Sequence, residues 1–341
     1  MKVLSFVIPA YNSAHFLDTC IPSMLVPELL SKIEIIVVND GSRDDTADAA
    51  ARYCAQYPQT VRLISQENKG HGGALNTGCA AAQGKYLKVI DADDWVVTEN
   101  LPRLIELLEA CDSDVVLTHH HTIDIGTGEI KHWRSYPQQF GKAYDFETIM
   151  SDWRSFDRSL TFHGITYRTA FYQEYGHQLL EHVFYEDHEY ATYPSCYANS
   201  VTPFDLFLYE YRIGDVNQSV SNANQLKRIG HTEAVLQRMM ELYQKLPESA
   251  GKAFAAMKIQ GLLLSYLTTV LLVEPDKKAG RILAQAQMAA CKEHAPRSWE
   301  LAQNKYKVFS LLNRLHISKA VWDKILGSAL YNRLRGNHSF E

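Results

Sequence analysis

Three carboxylates among four residues close an apolar run at positions 89–95, Val-Ile-Asp-Ala-Asp-Asp-Trp. Carboxylates this close repel one another and resist leaving water, so a fold keeps them where something cationic stands between them. Asp91 and Asp93 lie two residues apart at the end of a predicted strand. That spacing suits a hard divalent cation, Mn²⁺ or Mg²⁺, with diphosphate oxygens completing its shell. The ordinary structural explanation is an acid cluster capping a helix, with Asp94 as the cap. Three more polar clusters follow predicted strands: Pro9-Ala10-Tyr11-Asn12, Asn39-Asp40-Gly41-Ser42 and Asn68-Lys69-Gly70-His71-Gly72-Gly73. Each alone reads as a turn. In an open α/β sheet, however, ligands sit at the carboxyl ends of the strands, so four polar ends on one edge point to a ligand site. Neither a G-x-G-x-x-G after the first strand nor a P-loop occurs, which argues against a dinucleotide or a P-loop nucleotide. Asp40 can accept from an imide N–H such as that of uracil.

The elements that must carry these clusters alternate through the first 118 residues. Strands are predicted over Val3–Ile8, Ile33–Val38, Val61–Ser65, Tyr86–Ile90 and Asp114–Thr118. Helices are predicted over Ser13–Leu25, Asp44–Tyr57, around Ala74–Gln83 after a Gly-rich turn, and over Leu101–Ala110. Near-continuous hydrophobic strands separated by helices imply a parallel sheet covered on both faces. Residues 119–215 lose a clean period. From about 223 onward only helical patterns appear, separated by Pro247, Pro275 and Pro296.

The order V-I-P-A-Y-N, V-V-N-D-G-S-x-D-x-T, N-K-G-H-G-G-A-L-N-T-G and D-A-D-D resembles the inverting glycosyltransferases of family 2. The resemblance covers the first 120 residues closely and extends loosely to about 221. It implies an α/β GT-A fold, a Rossmann-like, mostly parallel sheet, over residues 1–221, with a nucleotide-sugar half (1–118) and an acceptor-side half (119–221). A basic all-helical region would then fill 222–341. It also implies a nucleotide-sugar donor, usually a UDP-sugar, and a metal bridging its phosphates. Carried over, Tyr11 and Asp40 flank the base within a donor site formed by Pro9, Ala10, Tyr11, Asn12, Asp40, Asn76, Asp91 and Ala92. Asp91 faces the ribose or the metal, and Asp93 is the metal ligand. Where the family often has Ala-Arg-Asn, this chain has Ala74-Leu75-Asn76, so Lys69 is the substitute cation.

An inverting transfer needs a base for the acceptor hydroxyl. Asp187, in Phe184-Tyr185-Glu186-Asp187-His188-Glu189, resembles the family's Glu-Asp motif at a helix start, with Glu186 and Glu189 as lesser candidates; capping is the structural alternative. Arg212, before Gln218-Ser219-Val220-Ser221, is a candidate phosphate partner or a surface ion pair. Adjacent strand residues face opposite sides, so His119, His120 and His121 are not expected to grip one metal. His163 and His182 carry no usable signal. The alternatives are a nucleotide-sugar binder without catalysis or a sugar nucleotidyltransferase. The latter usually has a Gly-rich, Arg-containing loop where this chain has Pro9-Ala10-Tyr11-Asn12.

The bulk numbers fit an ordinary soluble globular protein, with two domains expected: 341 residues, 46% hydrophobic, 21% charged and a net charge of −5. That charge argues against a general nucleic-acid binder. It is uneven: residues 250–341 hold 14 Lys+Arg against 6 Asp+Glu, a surplus of +8, leaving −13 for residues 1–249. Lys305, Lys307, Arg314, Lys319, Lys324, Arg333 and Arg335 alternate with Tyr306, Phe309, Leu311, Leu312, Trp322 and Leu330. That pattern suits peripheral contact with an anionic inner membrane leaflet, and equally an oligomer contact or packing against the catalytic domain. The family resemblance implies a glycan or lipid-linked saccharide acceptor, which docking at that leaflet would fit. The six cysteines show no C-x-x-C pair and imply free thiols in a reducing compartment. The apolar run Ile259–Val273 is too short for a span and reads as a core helix. Met1-Lys2 leads straight into a strand with no signal peptide, so a cytoplasmic location is expected.

Overall fold

The computed structural model describes residues 2–214 and 222–326. Strands β1 (Leu4–Ala10) and β2 (Ile33–Asp40) are buried at every position, which explains their largely apolar sequences, rich in Val and Ile. Their neighbours are β3 (Val61–Gln66) and β4 (Tyr86–Val89), and β3, β2, β1 and β4 pair in parallel. The remaining strands are β5 (Trp95–Val96), β6 (Val115–Asp124), β7 (Ile130–Trp133), β8 (Ile165–Arg168) and β9 (Val201–Ile213). All nine form one sheet in the order β3-β2-β1-β4-β8-β6-β9-β5, with β7 alongside β6. The first unit's helices are α1 (Ala14–Met24), α2 (Thr46–Gln56), α3 (Gly70–Ala81), α4 (Leu101–Ala110), α5 (Phe146–Ser151), α6 (Thr169–Tyr175) and α7 (Asp187–Thr192).

Three differences from the sequence reading bear on function. First, β1 and β2 run two residues farther than predicted, so Pro9, Ala10, Asn39 and Asp40 belong to the sheet itself. Second, the Gly-rich segment is the first turn of α3 rather than a separate turn. A Cβ on Gly72 would come within 2.3 Å of the Leu180 carbonyl oxygen, and one on Gly78 within 2.3 Å of Val7 Cγ1. These glycines serve close packing, not chain reversal. Third, the sheet is mixed. β8 is inserted antiparallel between β4 and β6, so the fifth predicted strand is not the neighbour of the fourth. That strand also continues to Asp124 and takes the His119–His121 run into the sheet. Register shifts between Leu117 and His120 bend it against β9, and such irregularity hides the period of two.

Lys88 on β4 is fully buried and donates from Nζ to the carbonyls of His163 (2.5 Å) and Ile165 (2.9 Å), tying the segment before β8 to the parallel strands. Burial lowers its pKa to about 7. On β6, His119 and His120 are buried, and His163 lies over the same sheet region, its ring 5.1 Å from His120. Burial depresses their pKa values to about 4 for His119, about 2 for His120 and about 4 for His163.

The chain divides into two compact units: Met1–Gln218 with Leu246–Ala255, and Ser219–Lys245 with Ala256–Glu341. The helices beyond β9 are α8 (Asn222–Lys227), α9 (Ile229–Lys245), α10 (Ala250–Thr268), α11 (Lys277–His294), α12 (Pro296–Arg314) and α13 (Lys319–Leu326). Among the described residues, Ala250–Val273 is the one helix long and apolar enough to cross a membrane; Ile259, Leu263, Leu267 and Val270 within it are fully buried. Asn313 donates to the Leu271 carbonyl at 2.7 Å, and α11 approaches so closely at Gly280 that a Cβ there would lie 1.9 Å from the Val270 oxygen. All six cysteines are free; Cys20, Cys79 and Cys291 are buried, the other three half-buried. Residues 218–221, Leu330, Arg333 and Arg335 lie outside the described residues.

Two outcomes test this packing. Gly78→Ala forces α3 away from β1 and should cost about 1–3 kcal/mol in urea denaturation, the usual penalty for overpacking; an unchanged midpoint contradicts the close approach. The buried histidines generate a pH dependence. Unfolded imidazoles bind protons near pH 6.5 whereas His119 and His163 resist until about 4, so the unfolded chain holds more protons in that window. The contribution of these two histidines to stability is therefore complete above about pH 6.5 and falls as pH drops toward 4. A urea midpoint that stays flat across that window contradicts it.

Candidate active site

The carboxyl ends of β1 and β2 and the start of α3 enclose a cleft of about 340 Å³. Its wall includes Pro9, Ala10, Tyr11, Asp40, His71 and His182. Asp40 is 2% exposed, yet only one of its oxygens is occupied. Oδ1 accepts from the Lys69 amide and the Gln66 side chain, both at 2.8 Å. Oδ2 is buried and has no partner. A buried carboxylate oxygen without a donor is costly, so this atom is set up to receive one from a ligand. Tyr11 is 47% exposed at the mouth of the cleft.

The other expected donor-site residues divide into wall and frame. Asn12 has a left-handed φ of 52°, accepts from the Arg43 backbone amide at its side-chain oxygen (2.9 Å) and donates its backbone N–H to Ser42 Oγ (3.0 Å), so it pins the β1 end to the β2 turn. Ala92 is buried between the acidic residues. Both ends of the Asn76 amide are used by the Leu179 backbone, at 3.0 and 2.9 Å, which holds residues 179–182 against α3. Lys69 is exposed and its ammonium lies 3.7 Å from Glu181. Neither Asn76 nor Lys69 contributes a side chain to the cleft wall.

The three carboxylates at the end of β4 meet three different environments. Asp94 is not a helix cap: β5 follows it directly and Asn100 stands at the start of α4. It is almost fully buried, accepting from Tyr209 Oη at 2.5 Å and the Arg212 amide at 2.8 Å. Burial, then the charges of Asp91 and Asp93, push its pKa well up. Asp91 meets His71, whose Nε2 is 2.9 Å from Asp91 Oδ1 while Nδ1 is 2.5 Å from Glu186 Oε1. Burial raises the Asp91 pKa, but the facing imidazole more than reverses this and leaves it below the usual value. Burial likewise lowers His71, and the two carboxylates outweigh it, holding the ring well above an ordinary histidine. Asp93 forms no ion pair among the described residues; burial and then Asp91's charge raise its pKa, and the charges of Arg212 and His71 offset this only in part, so acidic groups are in excess at this strand end.

This is the surplus that a cation would relieve. Among the described residues no group of three or more His, Cys, Asp or Glu is arranged to hold a metal. Asp91 and Asp93 fit a divalent ion only as part of a shell, two hard oxygen donors to be completed by a ligand's own oxygens.

Asp187 is half-buried at the first position of α7, just after Glu186. Tyr185 before it has a left-handed φ of 76°, unusual for an aromatic residue, and this turns the chain sharply into the helix. Asp91 and Asp187 both act electrostatically on His163 and on Tyr211, so the base candidate faces the same small volume as the β4 carboxylates. Glu189 points elsewhere, to His177 at 2.8 Å. Arg212 lies 4.8 Å from the Phe16 ring centre, and its charge reaches Asp93. His71 and His163 were not singled out in the sequence. His71 sits in the Gly-rich motif, where an imidazole at a helix start facing a D-x-D strand end was the available signal; His163 has none.

The sequence profile of glycosyl transferase family 2 matches residues 5–181, more than half of the chain. The glycosyltransferase alr2836 of Nostoc sp. is 40% identical over 131 residues, 38% of this chain and 39% of that protein. The succinoglycan biosynthesis protein ExoO of Rhizobium meliloti is 36% identical over 124 residues, 36% of this chain and 34% of that protein. The chain thus spans less than half the length of these curated relatives. The crystal structure of S. aureus TarS 1-349 in complex with UDP-GlcNAc superposes with a TM-score of 0.63 at 18% identity, covering 93% of each chain, and shares the GT-A fold followed by helices. The motif order, the cleft at the strand ends and the profile match converge: the chain belongs to glycosyl transferase family 2.

Proposed function

We propose that the protein transfers a sugar from a UDP-sugar to a hydroxyl of a glycan or lipid-linked saccharide, with inversion at the anomeric carbon. The observation that carries the donor assignment is the buried, unpartnered Oδ2 of Asp40 in the cleft wall. A uracil N3–H supplies the missing donor there, and Tyr11 at the cleft mouth is placed to cover the base. TarS, which shares the fold, was solved with UDP-GlcNAc, and this supports the same donor class.

Asp93 and Asp91 would hold the divalent cation, Mn²⁺ or Mg²⁺, with oxygens of the donor diphosphate. A cation so bound supplies positive charge to the departing diphosphate. His71 keeps Asp91 oriented and ties it to Glu186, one residue before the base. Asp187 takes the proton of the acceptor hydroxyl as its oxygen attacks the anomeric carbon. The bond from that carbon to the diphosphate breaks on the opposite face, releasing UDP.

The setting is the cytoplasm, with peripheral contact at the inner leaflet through α12. Leu301, Val308, Leu311 and Leu315 are about half exposed, and Lys305, Lys307 and Arg314 are interspersed with them. ExoO's name, which links it to succinoglycan, supports a role in polysaccharide assembly.

The base contact is tested by calorimetry with UDP and with UDP methylated at uracil N3. Loss of a hydrogen bond to a charged group should weaken the methylated ligand by about 10- to 100-fold. Equal affinity for the two sinks the Asp40 assignment. Separately, Asp187→Asn should keep UDP affinity within about twofold while transfer to any acceptor falls by about 10²–10⁴. Transfer at the wild-type rate in that variant would move the base elsewhere.

A further inference from the structure

A row of rings leads away from the carboxylate cluster across the sheet. Tyr211 on β9 stacks on His163, with centroids 4.3 Å apart and planes at 24°. His163 lies 5.1 Å from His120 on β6. His120 in turn stacks on Trp133 of β7, its cross-strand partner, at 5.9 Å with planes only 7° apart. The inner end of the row feels the charges of Asp91 and Asp187. The outer end is Trp133, 40% exposed on a strand that pairs with β6 alone.

Trp133 is held in place despite its exposure. Its indole Nε1 donates to Thr122 Oγ1 at 2.7 Å, which uses the ring's one polar atom, and His120 backs one side. An exposed indole normally gains entropy from rotamer freedom, and here that freedom is already spent. What remains open to solvent is apolar ring surface of fixed orientation. A pyranose presents a patch of C–H bonds on one face, and the negative face of an aromatic ring attracts those weakly positive hydrogens. A pre-fixed ring adds affinity because little is left to order on binding.

We propose that Trp133 is a saccharide platform: it carries a sugar ring of the acceptor chain, placed by the Tyr211–His163–His120 row so that the chain runs inward to Asp187. This rests on the glycan-acceptor reading above and adds the residue that selects for a saccharide acceptor over a simple alcohol. Continuity with the catalytic cluster fixes the occupant. A protein partner would need an apolar area much larger than one ring, and on β7 Trp133 shares its face with Lys131, while Ile130 and His132 lie on the opposite face.

The test is ¹⁹F NMR of the full chain labelled with 5-fluorotryptophan, which gives five signals, the Trp133 signal being assigned by its loss in Trp133→Tyr. Cellobiose, maltose, lactose and chitobiose are titrated with UDP and Mn²⁺ present. The Trp133 signal should move saturably with at least one disaccharide and stay still with glycerol at equal concentration. Trp133→Ala should weaken that disaccharide about tenfold, Trp133→Tyr much less, and UDP affinity should be the same in all three proteins. If no disaccharide moves the signal, or Trp133→Ala binds it as wild type does, the proposal is overturned. The UDP titration reports on the donor reading independently, so the two can fail separately.

Discussion

Everything at this site depends on how one strand end handles three acidic residues. Asp91, Asp93 and Asp94 stand where β4 stops, and their mutual repulsion would open the sheet edge if none were compensated. The protein compensates two. Asp94 is buried under Tyr209 and the Arg212 amide, which joins the end of β4 to β9 across the sheet. Asp91 is held by His71, which joins it to Glu186 and so to the helix that opens with Asp187. Asp93 has no ion-pair partner among the described residues, and the charges of Arg212 and His71 offset its crowding only in part. The same crowding that needs structural partners for two carboxylates therefore leaves a cation-seeking third beside the base candidate.

That arrangement requires the segment around residues 179–187 to lie tightly on α3, and the glycines make this possible. A side chain at Gly70 would strike the His182 backbone at 2.8 Å, and one at Gly72 the Leu180 oxygen. Asn76 closes the contact from below by pairing with both polar atoms of Leu179. The N-K-G-H-G-G segment is thus less a phosphate cradle than a seat for the loop that carries the acceptor-side acids. Asp40, whose Oδ1 caps the Lys69 amide, is fixed by the same seat and left with one oxygen to offer.

Much of this was legible because it is local. β1 and β2 announce themselves by largely apolar runs rich in Val and Ile, and polar residues that end four successive strands of an α/β pattern must share an edge. The D-x-D spacing alone predicted a demand for positive charge at Asp91 and Asp93. What stayed hidden is non-local. Nothing near Asn76 in sequence says that Leu179, about a hundred positions on, will consume its amide. β8 is four residues long and slots between β4 and β6 from a region with no clean period, so the mixed character of the sheet could not be read. His71 received no role of its own within the glycine run because its two partners, Asp91 and Glu186, come from distant parts of the chain. Asp94 looked like a cap because the partner that buries it, Tyr209, is more than a hundred residues away.

The central claim is that two carboxylates hold a cation only together with the donor's diphosphate. The free Mn²⁺ signal in electron paramagnetic resonance measures this directly, with protein alone, UDP alone, and both together. The account predicts little loss of signal with protein alone and a loss with both that far exceeds the loss with UDP alone, abolished by Asp93→Ala. Full binding of Mn²⁺ without UDP, or protein and UDP together removing no more signal than UDP alone, would contradict it.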